Sequence, residues 1–275
     1  MAVDPGTGLT VLGAALGSAK LVEKLLGPTA EYIGEGIRDW TEQRTRNVKR
    51  IFTIAARNLG DKINAKGTVP PKVLKGILSD GSFCDDLLTA EYFGGVVASS
   101  RSTVSRDDRG ASFVALITRL SVYQLRTHYV FYYIIKELFN GTEVDFSDLN
   151  QREAKMQVYV PSNVYHKALD FSEEEGETLG AILPHSLFGL AREQLLSEKF
   201  MIGTVEMIKK KHPEAAMGGI LFRPSPLGLE LFLWAHGRSS WTWRQFFDEA
   251  NRFEIVGGIE INSGSQVLKI GASDE

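Results

Sequence analysis

Between Thr10 and Phe139 each apolar stretch of this 275-residue chain repeats at helical spacing and then meets a residue that cannot continue a helix. That pattern leaves packed helices as the one economical way to bury the first half of the chain. Val11, Leu12, Ala15, Leu16, Ala19, Val22, Leu25 and Leu26 share one face, and Gly27-Pro28 stops the run. Thr29 is placed to cap a second helix from Ala30 toward Leu59, with Gly34 and Gly36 as a point of interruption. Its later part pairs an apolar stripe (Trp40, Val48, Ile51, Phe52, Ala55) with Arg38, Arg44, Arg46, Lys49, Arg50 and Arg57. Gly60 ends it. Pro70-Pro71 opens a short helix over Lys72–Leu78, stopped by Asp80-Gly81.

The segment Ser82–Ser102, SFCDDLLTAEYFGGVVASSRS, reads as a helix start followed by a helix. Ser82, Asp85 and Asp86 offer side-chain oxygens to the unpaired N–H groups of a first turn. Leu88, Tyr92, Val96 and Ser99 recur on one face, and Gly94-Gly95 thins the helix for close packing. Asp107-Asp108 heads the next helix through Phe113, Leu116, Ile117 and Leu120. Ser121-Val122-Tyr123-Gln124 then matches a capping box, in which Ser and Gln satisfy each other's orphan N–H groups. The long apolar region is therefore two helices, the second reaching Phe139 and closed by Asn140-Gly141.

The pattern weakens from Thr142 to Leu183, where Glu173-Glu174-Glu175-Gly176-Glu177 reads as a solvated acidic loop or cap. Helix signals return at Ser186–Ser197. Lys199–Val205 reads as a strand or as the lead into a helix ending at Lys209-Lys210-Lys211, and Gly218–Arg223 reads as a strand. Ser225-Pro226 starts a helix stopped at Gly237, and Ser240–Trp243 begins another that extends to about Phe253. Ile259–Ile261 and Val267–Ile270, around Asn262-Ser263-Gly264-Ser265, alternate as a β-hairpin. The expected fold is mainly α: a helical domain at 1–140, a connector at 141–183 and a smaller α+β, winged-helix-like domain at 184–275 that ends in the hairpin.

Composition enters as a set of exclusions. A net charge of −3 and a pI near 6.0 give no global attraction to nucleic acid or anionic lipid, so any such binding needs a local patch. One cysteine, Cys84, excludes an internal disulfide and a thiolate zinc cluster. With no basic leader before the first apolar run, a cytoplasmic setting is expected. No stretch approaches the roughly 20 uncharged apolar residues of a membrane span.

Asp85-Asp86 and Asp107-Asp108, with Glu91, read either as a carboxylate cluster for a divalent cation or as helix-start residues. Adjacent helical residues point about 100° apart, which favours the second reading. The histidines lack zinc spacing. Arg126 and His128, among Tyr129, Tyr132 and Tyr133, read as the lining of a polar pocket or as helix packing with satisfied tips. Gly13 and Gly17 form a GxxxG face for close helix approach, and Lys20, Glu23 and Lys24 interrupt it as a membrane segment. Arg192 and the run Lys209, Lys210, Lys211 are the basic positions available to a nucleic-acid reader in the C-terminal domain. No nucleotide cradle or nucleophile elbow is present, so no cofactor is expected and a non-enzymatic role is favoured.

Taken as strings, KLLGPTAEYIGEGI, VPPKVLKGIL, the Ser82–Ser102 segment, LSVYQLRTHYVFY and the SPLG stretch resemble the abortive-infection alpha (Abi-alpha) family of bacterial phage-resistance proteins. The resemblance implies a phage-defence role exercised through protein interaction or self-association and brings no catalytic residue with it. Two other readings stand beside it. One is a nucleic-acid-binding regulator acting through the C-terminal domain. The other is a membrane-perturbing effector acting through residues 8–26.

Overall fold

The structure, a computed structural model, describes residues 42–104, 106–176 and 178–257 and the backbone of 268–270. The expected helix over Thr10–Leu26, with Gly13 and Gly17, lies outside the described residues, as does the first limb of the hairpin. The chain divides into two compact units: residues up to Arg119 with Leu233–Ser240, and Leu120–Phe232 with Trp241 onward. This division differs from the expected 1–140, 141–183 and 184–275. The capped helix after Ser121 groups with the sheet-bearing residues because its aromatic side chains pack there.

The first unit contains α1 (Glu42–Leu59), α2 (Pro71–Ser79), α3 (Leu87–Ser100) and α4 (Gly110–Arg119). Within it, α3 has no polar face: Leu88, Tyr92, Phe93, Val96, Val97 and Ala98 are all buried, so the one-sided stripe expected for it is too narrow. Gly94 and Gly95 do allow close approach. A Cβ on Gly95 would stand 1.7 Å from the Ala235 carbonyl oxygen, and one on Gly94 2.4 Å from Ile54 Cγ2. The start of α3 is also simpler than expected. Asp86 alone caps it, accepting from the Thr89 N–H at 2.8 Å. Ser82 belongs to a 3₁₀ turn, Gly81–Phe83, where its hydroxyl donates to the Ser79 carbonyl at 2.7 Å.

The second unit is built on α5 (Val122–Leu138), followed by α6 (Leu149–Lys155), β1 (Gln157–Pro161), α7 (Ser162–Leu169) and α8 (Glu173–Gly176). Then come α9 (Leu179–Arg192), β2 (Met201–Gly203), α10 (Val205–Lys209), β3 (Gly219–Phe222), α11 (Pro226–Ala235), α12 (Trp243–Phe247) and β4 (Leu268–Ile270). The last three residues of α11 are assigned to the first unit. Ser121 caps α5 as expected: its hydroxyl accepts from the Gln124 N–H, and its own N–H donates to Gln124 Oε1 at 2.9 Å.

The four strands form an antiparallel sheet in the order β2-β3-β1-β4, with Tyr159 opposite Leu221 and Leu268. Residues read as a connector therefore supply an inner strand. Its segment Val158–Val160 is buried, and Phe131 of α5 stacks on Phe222 of β3 with ring centroids 3.9 Å apart. The helix expected from Ser240 to Phe253 is only the five residues of α12, because the backbone at Asp248 turns extended. The described limb of the expected hairpin, β4, pairs with β1.

Candidate functional site

Tyr132 and His128 of α5 are fully buried and anchor the turn that leads into α11, in place of the polar pocket expected around them. The Tyr132 hydroxyl donates toward the carbonyls of Leu195 at 2.8 Å and Ser225 at 3.0 Å, and accepts from the Ser225 N–H at 2.9 Å. His128, fully buried and 4.6 Å from the Tyr132 ring, holds the Gly228 carbonyl through Nε2 at 2.9 Å. A Cβ on Gly228 would meet the Tyr132 oxygen at 2.0 Å, so only glycine lets α11 come this close. Burial drives the Tyr132 phenol well above its ordinary pKa and keeps it neutral. With Tyr132 and His128 buried and bonded to the backbone around it, this node organises the fold. Arg126, half-buried, donates to the Leu169 carbonyl at 3.1 Å and belongs to the same scaffold.

The opposite edge of α9 is open. Ala181, His185, Phe188 and Arg192 follow at helical spacing and are all exposed. Phe188 is 64 % exposed, and its ring meets that of Phe200 edge-on at 5.2 Å. The stripe extends to the start of α5: His185 Nε2 lies 3.1 Å from the Ser121 hydroxyl, next to exposed Val122. Burial of Ser186, Leu187, Leu190 and Ala191 on the inner face fixes which residues point out. An aromatic pair flanked by a histidine and an arginine is the composition that protein contact surfaces favour. Sequence reading took Arg192 from this helix and passed over Phe188, which no motif distinguished from a core residue.

No family model, curated protein or solved structure matches the chain.

The remaining expected positions are scattered. Arg192 contacts Glu193 at 3.3 Å on the surface, and Lys209, Lys210 and Lys211 are exposed around the end of α10. The four aspartates have separate partners. Asp85 accepts from Gln43 and Asn47, and Asp86 caps α3. Asp107 pairs with Arg109, and Asp108 pairs with Lys72. Among the described residues no group of three or more His, Cys, Asp or Glu is arranged to hold a metal ion.

An open cavity of about 690 Å³ lies between the loop after α5 and α12. Its walls include Glu143, Asp145, Trp243, Arg244, Asp248 and Glu249. Hydrogen bonds from Ser147 hold the half-buried Asp145 carboxyl below the usual range. Buried Lys136, its pKa lowered by desolvation, donates to the Asp248 carbonyl at 2.9 Å and to Asn140 Oδ1 at 2.7 Å. The cavity is open and acidic, and the buried cation beside it is already satisfied.

Proposed function

We propose that this protein is a phage-defence protein of the abortive-infection type that works by binding another protein chain, with the α9 stripe as its contact surface. The observation that carries the interaction half of the reading is exposed Phe188, packed edge-on against half-buried Phe200. A solvent-facing aromatic ring of this kind loses free energy by remaining in water and gains it by being covered. The defence half rests on the resemblance of the Ser82–Ser102 and Leu120–Tyr132 segments to the Abi-alpha family. In this reading those segments serve the scaffold, since Gly94, Gly95, Ser121 and Tyr132 are packing and capping residues. The cytoplasm is the setting proposed for that role.

The winged-helix-like description of residues 184–275 belongs to the same proposal. Its support is the succession of α9, two antiparallel strands and α11. Among the described residues no helix is long and apolar enough to cross a membrane, and residues 8–26 lie outside them.

The test is Phe188→Asp in a host challenged with phage, alongside the mass of the purified protein by light scattering. Loss of protection with unchanged thermal stability, and loss of any assembly or captured partner, is the expected result. Full protection by Phe188→Asp would remove this surface from the mechanism. Absence of protection by the natural chain against every phage tested would remove the defence role.

A further inference from the structure

The segment 44–66, RTRNVKRIFTIAARNLGDKINAK, holds seven Lys and Arg against the single acid Asp61. Folding keeps all seven out of the core. Val48, Ile51, Phe52, Ile54 and Ala55 of α1 are buried, while Arg46, Lys49 and Arg57 are exposed and Arg50 is half-buried. Arg57 is taken by the Glu91 carboxylate. Arg50 instead donates to a neutral acceptor, the Asp85 carbonyl, at 3.3 Å, a contact that orients the guanidinium and leaves its charge in place. Beyond α1, Arg101 grips the carbonyls of Lys62, Ile63 and Ala65, holding a loop that exposes Lys62 and Lys66.

The near-neutral average of the whole chain conceals this. The unit containing α1 has 17 Lys and Arg against 13 Asp and Glu, a net charge of +4. The other unit has 14 against 21, a net of −7, and together they give the −3 of the chain.

We infer that the outer face of α1 is a binding surface for the phosphate backbone of nucleic acid. Arg46, Lys49 and Arg50, three and four residues apart, form one cationic row on the helix. Amphipathic basic helices that bind bilayers do so through their apolar face, and here that face is inside the core. None of the large exposed apolar side chains among the described residues falls between 43 and 66. What remains on the surface is a cationic excess, complementary to a polyanion: exposed Asp85, bonded to Gln43 and Asn47, faces Arg46, Lys49 and Arg50 as a single acid. Phe83, 68 % exposed with the Arg44 guanidinium 4.3 Å from its ring centre, adds an aromatic face of the kind on which bases stack. The inference is independent of the defence reading and shifts the nucleic-acid expectation away from Arg192 and Lys209–Lys211.

The experiment is an anisotropy titration of the full chain with labelled single-stranded and duplex oligonucleotides, at salt from about 50 to about 200 mM. Anionic vesicles are tested in parallel. Binding that weakens steeply with salt is expected. Arg46→Glu/Lys49→Glu/Arg50→Glu should lower affinity at least tenfold and flatten the log–log salt slope, by about 2.7 for duplex and about 2.1 for single strands. Arg46→Lys/Arg50→Lys should largely retain binding. Reversing Lys209–Lys211 should leave it unchanged. Lys49→Glu alone, at an exposed site, tests the idea should the triple variant misfold, with a slope loss of about 0.9 on duplex. No binding at the lowest salt, undiminished binding by Lys49→Glu, loss on reversing Lys209–Lys211, or binding to vesicles alone would each overturn the inference.

Discussion

The Ser225 hydroxyl donates to the Gln194 carbonyl across 2.6 Å, joining the start of α11 to a residue held at a φ of +58°. A left-handed backbone is unfavourable for glutamine, so the turn after α9 persists because its neighbours hold it. The same hydroxyl accepts from the Gly228 N–H at 3.0 Å. Ser225→Ala therefore leaves the part-buried Gln194 carbonyl and the buried Gly228 N–H without that partner. The expected cost is about 1–3 kcal/mol, read as a lower midpoint in urea with an unchanged slope. Gln194→Gly should move stability the other way by relieving the backbone. A stable Ser225→Ala variant would show that the turn needs no clamp.

Gly95 and Gly180 should respond oppositely to the same substitution. At Gly95 an added methyl collides with the backbone of Ala235, which cannot rotate aside, so Gly95→Ala should cost about 3 kcal/mol or fail to fold. At Gly180, in the first turn of α9, a Cβ meets nothing within 4 Å, and alanine should stabilise by about 0.4–1 kcal/mol through the unfolded chain. Thermal melts of the two variants decide this. Equal shifts would mean that α3 and Ala235 are less closely packed than described.

Cys84 should be inert until the protein unfolds. Burial first, then the nearby Asp86 carboxylate, pushes its thiol from an ordinary 9.0 up to about 12. The raised value sets the sign of the pH effect. The thiol contributes nothing pH-dependent below about 9, where it is neutral in both states. Between 9 and about 12 the unfolded chain ionises first, and native stability falls. Cys84→Ala should remove that part of the alkaline slope, while Ellman's reagent should label the natural chain only in denaturant. Rapid labelling of the folded protein at neutral pH would contradict this assignment.

What could be read in advance followed the range of the interactions. The box at Ser121 involves residues three apart, so its chemistry is visible in the string and divides α4 from α5 where expected. Gly94-Gly95 signalled close approach without naming Ala235, which lies far along the chain. The helix expected from Ser186 starts earlier, at Leu179, and runs through Pro184, because its burial partners lie elsewhere in the chain. Inner strand β1 is hidden from local pattern for a related reason. Gln157–Pro161 is short and apolar, and its partners Gly219–Phe222 are remote in sequence.

By itself, the sequence determined the helices between Glu42 and Leu138, their stops and the capping box at Ser121, because propensity, capping and apolar spacing act over a few residues. Only the tertiary structure decided which apolar residues remain outside. Phe188 and Leu187 are neighbours in one helix, and packing buries Leu187 fully while leaving Phe188 64 % exposed. The tertiary structure likewise turned the cations of α1 outward, by claiming Ile51 and Phe52 for the core. Burial depends on partners distant in the chain, and no local pattern carries that information.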